Sequence, residues 1–251
     1  MTDLVHQLLS QATTRLERLA ELAGSGGLDA AVDLCVDALD AGGVLQAFGT
    51  GHSQAFAMEI AGRAGGLIPT NRISLHDLVL YGGRDVGDLG GSTLERDSAV
   101  VDELIEVSVI NPQDVFLIAS NSGVNGSIVG FALAVKERGH KLIAVTSLEH
   151  TNAVEPKHPS GKRLSDVADV VLDNLAPFGD TTLELSGGVG VGAISSITSA
   201  FIAQMLTVEV SRRFTERDEV PPLYISANIP AGDAHNSALE DKYRGKIRRL
   251  A

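Results

Sequence analysis

The chain has few of the residues on which disulfide, metal-thiolate and base-stacking chemistry depend. Its 251 residues include one cysteine, Cys35, which excludes an internal disulfide and any metal site built from several thiolates. Cys35 lies in the stretch AAVDLCVDAL, where we expect a buried helical thiol. Tryptophan is absent and aromatic residues make up 4% of the chain, so no stacking platform for single-stranded nucleic acid is expected.

Positive charge is also scarce. The chain has 20 lysines and arginines against 32 aspartates and glutamates, which gives a formal net charge of −12. Nucleic-acid backbones are held by clustered Lys and Arg, so this balance argues against a nucleic-acid partner. The 7 histidines are scattered without the spacing of a metalloprotease site, and we expect no bound metal.

Long hydrophobic runs are missing as well. No stretch approaches the roughly 20 apolar residues that cross a bilayer. The N-terminus, MTDLVHQLLSQATTRL, lacks the basic start and apolar run of a signal peptide. We therefore expect a cytoplasmic protein with no membrane partner.

The chain does contain a repeated alternation of apolar strands and helices. The predicted strands are VLQAF (44–48), DVFLIAS (114–120), HKLIAVTS (140–147) and DVVLDN (169–174). The predicted helices cover residues 2–22, 29–40, 53–64, 126–138, 191–213 and 237–250. Continuous apolar strands separated by helices indicate a parallel sheet covered on both faces, here of about five strands.

We predict a single domain over residues 1–251. It would comprise N-terminal helices (1–42), a ligand-binding core (43–175) and a C-terminal loop with further helices (176–251). The helix predicted over 191–213 and the first two helices have more apolar surface than one sheet can cover. We therefore also predict a homodimer.

Three predicted strand ends are rich in glycine and small polar residues. They are FGTGHS, ASNSGVN and VTS, and the candidate binding residues in them are Gly49, Thr50, Gly51, His52, Ser53, Ser120, Asn121, Ser122, Gly123, Asn125, Thr146 and Ser147. In an open parallel sheet the ligand lies beyond the carboxyl ends of the strands. Hydroxyls and free N–H groups at helix N-termini hold a phosphate there with few cationic side chains. The alternative is that these residues only form turns and caps.

Two glycine-rich segments superficially resemble nucleotide loops. GGVGVGA (187–193) follows the polar TTLELS, and no strand ending in a ribose-binding acid comes after it. FGTGHS has no third glycine at fingerprint spacing, and no Gly-Lys-Ser/Thr follows either segment. We therefore expect no nucleotide and no other cofactor, which argues against a dinucleotide-dependent oxidoreductase.

FGTGHSQAFAMEIAGRAGGL and LIASNSGVNGSIVGFALAVKERGHKLIAVTS resemble the two phosphosugar-binding units of the sugar isomerase (SIS) domain, across roughly residues 44–174. The longer pattern, with HPSGKRLSDVADVVLDN and GDAHN, is similar to an uncharacterised bacterial SIS branch. That branch is related to N-acetylglucosamine-6-phosphate dehydratase and, more distantly, to N-acetylmuramic acid 6-phosphate etherase. The resemblance implies a flavodoxin-like three-layer αβα sandwich and a homodimer. The sugar-phosphate ligands that it implies are Ser53, Ser120, Ser122, Asn125, Thr146 and Ser147.

Isomerases and lyases of aldose phosphates both begin by removing the proton beside the carbonyl. A carboxylate with a raised pKa suits that step, and a histidine or second carboxylate suits ring opening or departure of a hydroxyl. The groups available are Glu59, Glu95, Glu184, His52, His76, Asp180 and His235. We take Glu95, Glu59 and His235 as the catalytic candidates.

Glu59 lies on an otherwise apolar helix, where a carboxylate needs a partner or a function. Arg63 at i+4 offers a structural ion pair, which is one interpretation. The other is catalysis, because the context MEIAGR resembles that of the catalytic glutamate of phosphoheptose isomerases. In the present chain the glutamate is one helical turn closer to the preceding serine.

Glu95 follows the glycine-rich loop YGGRDVGDLGGST. It either completes a capping box with Ser92 or acts in the site, since etherase-like SIS enzymes use a glutamate from this region.

His235 and Asn236 are expected on a polar loop before the last helix. In related SIS proteins a histidine near the C-terminus reaches the site, sometimes from the partner subunit; the alternative is a solvent-exposed histidine. Lys162 and Arg163 either support the anion or form a solvated basic pair.

Two functions are compatible with these residues. The first is an enzyme acting on an amino-sugar or hexose 6-phosphate by elimination or by aldose–ketose isomerisation, with its site near the subunit interface. The second is a phosphosugar sensor without chemistry. Only about 43 residues precede the first strand and they are not basic, which argues against a DNA-binding regulator.

Overall fold

The computed structural model describes residues 3–249. At its centre lie the strands β1 (Leu45–Gly49), β2 (Thr70–Ile73), β3 (Val115–Ala119), β4 (Lys141–Thr146) and β5 (Val170–Asp173). They pair in parallel in the order β2-β1-β3-β4-β5. The five-stranded parallel sheet is therefore confirmed, although β2 has no counterpart among the four strands located in the sequence.

The helices cover both faces of this sheet, as continuous apolar strands require. The helices are α1 (Leu4–Gly24), α2 (Asp29–Asp40), α3 (Gln54–Ile60), α4 (Asp77–Leu80), α5 (Thr93–Arg96), α6 (Val100–Val107), α7 (Gly126–Glu137), α8 (Leu148–Ala153), α9 (Leu164–Val167), α10 (Ser195–Thr215) and α11 (Gly232–Glu240). One apolar cluster joins α1, α2, α3 and α10 to one face of the sheet, and a second joins α4, α5, α6, α7 and α9 to the other. These layers form the αβα sandwich.

Successive residues of each strand place their side chains alternately in the two clusters. Phe48 and Phe116 point to the side of α7, where their rings lie 4.7 Å and 5.9 Å from the ring of Phe131. On the opposite side, Cys35 of α2 is completely buried, and burial raises the pKa of its thiol to about 12. Cys35 is thus the inert core thiol that its sequence context predicted.

The prediction for residues 191–213 is wrong at its start. Residues 181–193 form an antiparallel hairpin of β6 (Thr181–Glu184) and β7 (Gly190–Ala193), and α10 begins only at Ser195. Positive φ angles at Gly187, Gly188 and Gly192 allow the chain to reverse there. The glycine-rich run is therefore a hairpin, and it belongs to neither a helix nor a nucleotide loop.

The prediction of a helix over residues 237–250 is also wrong. The helix α11 is earlier, so that His235 lies inside it and not on a loop, and it is followed by a 3₁₀ turn at Asp241–Tyr243. Beyond Gly245, which has a φ of 81°, the chain runs along the edge strand β2. There Arg249 donates a hydrogen bond to the carbonyl of Thr70. Residues 2 and 250 of the predicted helices lie outside the described residues.

The predicted helix over 53–64 is shorter than expected. It ends at Ile60 because Ala61 is extended and Gly62 has a φ of 80°. Among residues 3–249, no helix combines the length and the apolar character needed to cross a bilayer.

Candidate functional site

The three polar turns predicted from the sequence meet at the carboxyl edge of the sheet. Main-chain bonds connect them: the N–H of Ser120 donates to Val145 (3.0 Å), and that of Ser147 donates to Asn121 (3.2 Å). The next strand is connected in the same way, since the N–H of Asn174 donates to Thr146 (2.9 Å). Parallel pairing therefore gathers β1, β3, β4 and β5 into one polar edge.

The turn after β1 folds back tightly on its own strand. A Cβ atom placed at Gly49 would lie 2.4 Å from the carbonyl oxygen of Ser53, so only glycine fits there. Residues Gly51–Ser53 form a single 3₁₀ turn that leads into α3. Ser53 is half-buried and makes no capping bond with its side chain, which leaves its hydroxyl for another partner.

Glu95 reaches this turn from a separate part of the chain. Gly51 has a φ of 54°, and a Cβ atom placed on it would lie 3.1 Å from Oε1 of Glu95. The expected capping box is absent, because Ser92 makes no side-chain bond to the first turn of α5. The carboxylate of Glu95 is therefore directed to the polar turn and does not cap its own helix.

The short helix α5 is held in place by the start of α7. A Cβ atom at Gly126 would lie 2.2 Å from the carbonyl oxygen of Arg96, which shows how closely the two segments approach. Ser127 donates a hydrogen bond from Oγ to the carbonyl of Glu95 (2.8 Å). Because this bond uses the main chain of Glu95, its side chain remains available to the site.

The second turn, after β3, is closed by its own side chains. Oγ of Ser120 accepts a bond from the N–H of Gly123 (3.1 Å), which has a φ of 64°. Asn125 precedes α7 and its side chain makes no capping bond. The first turn of α7 thus offers main-chain N–H groups and the positive end of a 12-residue helix to an anion.

The third turn, after β4, uses its hydroxyls internally. Ser147 is completely buried, donates to the carbonyl of Ala176 (2.5 Å) and accepts from the N–H of His150 (3.0 Å). Thr146 is also completely buried and donates to the carbonyl of Asn121 (3.3 Å). These contacts give both hydroxyls a structural role at the edge of the sheet.

A narrow polar cleft, with a cavity volume of about 10 Å³, opens between these turns and α10. It is lined by His52, Ser53, Phe56, Ser120, Asn121, Asn174, Ser195, Ser196 and Ser199. Phe56 and four polar lining residues, Asn174, Ser195, Ser196 and Ser199, are not among the site residues predicted from the sequence. Two sequence features could have indicated the polar ones: the asparagine at the end of the fourth predicted strand and the hydroxyl-rich run SSITS (195–199).

The start of α10 is positioned by Asp180, which has a φ of 69°. Its carboxylate accepts bonds from the N–H groups of Ile194 and Ser195 and from Oγ of Ser195 (2.7 Å). Asp180, considered above as an acid–base group, therefore caps α10 and directs three serines of its first turns to the cleft.

Glu59 makes the ion pair that its spacing predicted. Its carboxylate contacts the guanidinium of Arg63 and accepts a bond from Nε2 of Gln204 on α10 (2.5 Å). These contacts tie α3 to α10, and neither Glu59 nor Glu95 is among the residues lining the cleft. The surroundings of Glu59 fit the structural interpretation, and a catalytic role remains a prediction.

His235 is half-buried, and its Nε2 lies 3.0 Å from the carbonyl oxygen of Leu223. It does not line the cleft within one chain. His76 is nearer to the first turn: its Nδ1 lies 2.9 Å from Oγ of Ser74, and that hydroxyl donates to Gln54 (3.3 Å). A histidine connected to the first turn through a hydrogen-bond chain is thus present on the loop after β2.

The remaining candidates lie elsewhere. Glu184 is exposed on the hairpin, and Arg163 donates to the carbonyls of Thr151 and Val154, while Lys162 is exposed. Within residues 3–249, no group of three or more His, Cys, Asp or Glu side chains is arranged to hold a metal ion.

Comparison with known proteins gives concordant matches. The family model described as "SIS domain" matches residues 7–147. A UPF0309 protein from Listeria monocytogenes is 38% identical over 88% of this chain and 89% of its own length. Another, from Geobacillus kaustophilus, is 34% identical over 88% of this chain and 86% of its own.

Solved structures share the fold at low identity. A phosphoheptose isomerase from Francisella tularensis is 16% identical with a TM-score of 0.55, over 84% of this chain and 100% of that one. A phosphoheptose isomerase from Neisseria gonorrhoeae is 18% identical with a TM-score of 0.52, over 82% of this chain and 98% of that one.

The contact between Gly51 and Glu95 can be tested by adding a methyl group. In Gly51→Ala a left-handed φ must be adopted by alanine, at a cost of roughly 1–2 kcal/mol, and Glu95 must also move. Gly62→Ala is the matched control, since Gly62 has a φ of 80° but no atom within 4 Å of its Cβ position. We expect urea unfolding to show a larger loss of stability for Gly51→Ala. Equal losses would contradict the close approach of Glu95.

Proposed function

The chain belongs to the SIS domain family, with the UPF0309 proteins as its relatives, and from that premise we propose that it binds a phosphorylated sugar at the carboxyl ends of β1, β3 and β4. The free hydroxyl of Ser53, the half-exposed Ser122 and Asn125, and the start of α7 supply donors for the phosphate. Hydroxyls and main-chain N–H groups at a helix N-terminus bind a phosphate without cationic side chains. Phosphate binding is therefore compatible with the formal net charge of −12.

We propose that Glu95 is the group that moves the proton. The observation that carries this assignment is the approach of its carboxylate to Gly51, in the same turn that presents Ser53. A base must lie within reach of the proton that it removes, and the carboxylate of Glu95 is next to the turn at which the phosphate would bind. Neither Glu59 nor His235 has a comparable position in one chain.

The reaction that follows is removal of the proton beside the sugar carbonyl. Return of that proton to the neighbouring carbon gives aldose–ketose isomerisation, and loss of water or an ether group from the next carbon gives elimination. Both reactions need one positioned carboxylate and hydrogen-bond donors for the developing enolate oxygen. The substrate class that we propose is an amino-sugar or hexose 6-phosphate.

We also propose that the site is completed in a homodimer. Apolar side chains are exposed on α1, the hairpin and α10: Leu4, Val5, Leu9, Val189, Val191, Ile197 and Val208. The helix α1 packs against α10 and β6, and apolar side chains exposed on neighbouring elements are typical of protein interfaces. The single-chain cleft has a cavity volume of about 10 Å³, far below the roughly 300–1,000 Å³ typical of ligand pockets, so a second subunit that contributes part of the site fits both observations.

Proton NMR in heavy water tests the role of Glu95. With a panel of sugar 6-phosphates, we expect the native protein to exchange the proton beside the carbonyl for deuterium. Glu95→Gln should slow this exchange by at least about 100-fold, which is the lower range for losing a general base. Glu59→Gln should slow it far less, because its carboxylate pairs with Arg63.

Several outcomes distinguish the alternatives. A new vinylic signal means elimination, and a ketose product means isomerisation. Exchange lost only in Glu59→Gln would transfer the catalytic role to that residue. A ligand that binds, as seen by line broadening, yet never exchanges its proton would replace the enzyme with a phosphosugar sensor.

Two serines separate ligand binding from folding. In Ser53→Ala we expect the active sugar phosphate to bind about tenfold more weakly, with unfolding unchanged, because its hydroxyl makes no capping bond. Ser147→Ala should lower the free energy of unfolding by about 1–3 kcal/mol, because it leaves buried partners unpaired. Calorimetric titration and urea unfolding measure the two effects, and the reverse pattern would refute the assignment.

The oligomeric state is checked by light scattering. We expect a dimer of the 251-residue chain at micromolar concentration. Val208→Glu places a charge on the exposed apolar surface of α10 and should shift the equilibrium to monomer. A monomeric native protein would contradict the proposed interface.

A further inference from the structure

A second cleft, of about 310 Å³, lies at the far end of α3. The end of α3, beginning at Met58, forms one wall, and the others come from Arg72 of β2, Asp77 of α4, and Arg248 and Arg249 of the C-terminal segment. None of its lining residues lines the polar cleft described above. The two clefts are therefore separate sites on opposite ends of α3.

Arg249 is fixed by main-chain oxygens. It donates to the carbonyl of Thr70 (2.7 Å) and to that of Ile68, and it contacts the hydroxyl of Tyr224. The nearest carboxylate, Glu240, lies 3.6 Å from its Nε. Arg249 thus holds the C-terminal segment against β2 and places a fixed positive charge beside the cleft.

Arg248 is fixed in part and keeps free donors. Its guanidinium stacks on the ring of Tyr81 at 3.8 Å, and Nη1 donates to the carbonyl of Val107 (3.0 Å). No carboxylate of residues 3–249 lies within ion-pair distance of it. Stacking on an aromatic ring orients a guanidinium without using its N–H groups, which remain available to an anion.

Arg72 has no hydrogen-bond or ion-pair partner within the described chain, although it is half-buried. Among residues 3–249, Asp77 is the one carboxylate lining the cleft, and it is 5% exposed. Its Oδ2 accepts from the N–H of Ser74 (3.0 Å). Burial raises the pKa of Asp77, while that bond and the charges of Arg72 and Arg248 lower it.

The balance of charge in this cleft is positive. Three guanidinium groups face one buried carboxylate, in a chain whose formal net charge is −12. Arg84, Arg212 and Arg217 are each paired with a carboxylate. Within residues 3–249, Arg72 and Arg248 make no such pair although both line a cleft, and their charge is left for an external anion.

We propose that this cleft is a second binding site, for a phosphate monoester held by Arg72 and Arg248. A phosphate matches the two guanidinium groups, those of Arg72 and Arg248, that make no ion pair within residues 3–249, and a planar guanidinium bonds two phosphate oxygens at once. The free oxygen of Asp77 accepts a hydroxyl of the group esterified to the phosphate. This site does not depend on the proposed function of the polar cleft.

The test titrates inorganic phosphate into the full chain at constant ionic strength. The Nε–Hε signals of Arg72 and Arg248 in a nitrogen-15 correlation spectrum report this cleft, and calorimetry gives the affinity. We expect both signals to shift with one saturating curve. Arg72→Gln and Arg248→Gln should each weaken that binding by about tenfold, as expected for loss of a charge-assisted hydrogen bond.

Two further variants keep the result interpretable. Arg18→Gln, on the exposed surface of α1, makes the same charge change outside the cleft and should leave the affinity unchanged. Ser53→Ala alters the polar cleft and should leave the shifts of Arg72 and Arg248 unchanged. Urea unfolding confirms that the arginine variants fold. The proposal is overturned if the two arginine signals do not move, or if Arg18→Gln weakens binding as much as Arg72→Gln.

Discussion

The close approach of main chain to main chain at the carboxyl edge of the sheet is the constraint on which the candidate site depends. Gly49 lets the first turn lie against β1, and Gly126 lets α5 lie against α7; a Cβ atom at either position would come within 2.4 Å of a carbonyl oxygen. Without the second contact Glu95 would not reach Gly51. The lack of a side chain at Gly49 and Gly126 therefore permits the packing that brings the Glu95 carboxylate to the first turn.

The polar residues at this edge divide into two groups. Thr146, Ser147 and Asp180 use their side chains to connect turns and to cap helices, and they are satisfied within the chain. Ser53 and Asn125 make no capping bonds, and Ser53 lines the polar cleft. Composition alone cannot separate these groups, because a buried hydroxyl and a ligand-binding hydroxyl have the same chemistry and differ only in their partners.

The two clefts would hold anions by different means. The polar cleft offers hydroxyls and helix N-termini, which suit a ligand that must also be released or transformed near a carboxylate. The second cleft offers guanidinium groups oriented by Tyr81 and by main-chain carbonyls. Arg72 and Arg248 line one cleft and make no ion pair within residues 3–249, so their charges would be available to the same anion.

Local sequence patterns are enough to predict three features. Continuous apolar segments predict the parallel sheet, glycine and small polar residues predict the three turns, and helical spacing predicts the pair of Glu59 with Arg63. The hairpin at 181–193 and the end of α11 were mispredicted because glycines and distant carbonyls, not local propensity, decide them. Long-range packing, which no local pattern predicts, places Glu95 beside Gly51, Ser195 at the polar cleft and Arg72 near Arg248. Those pairs are far apart in the chain, and only the packing of helices on the sheet brings them together.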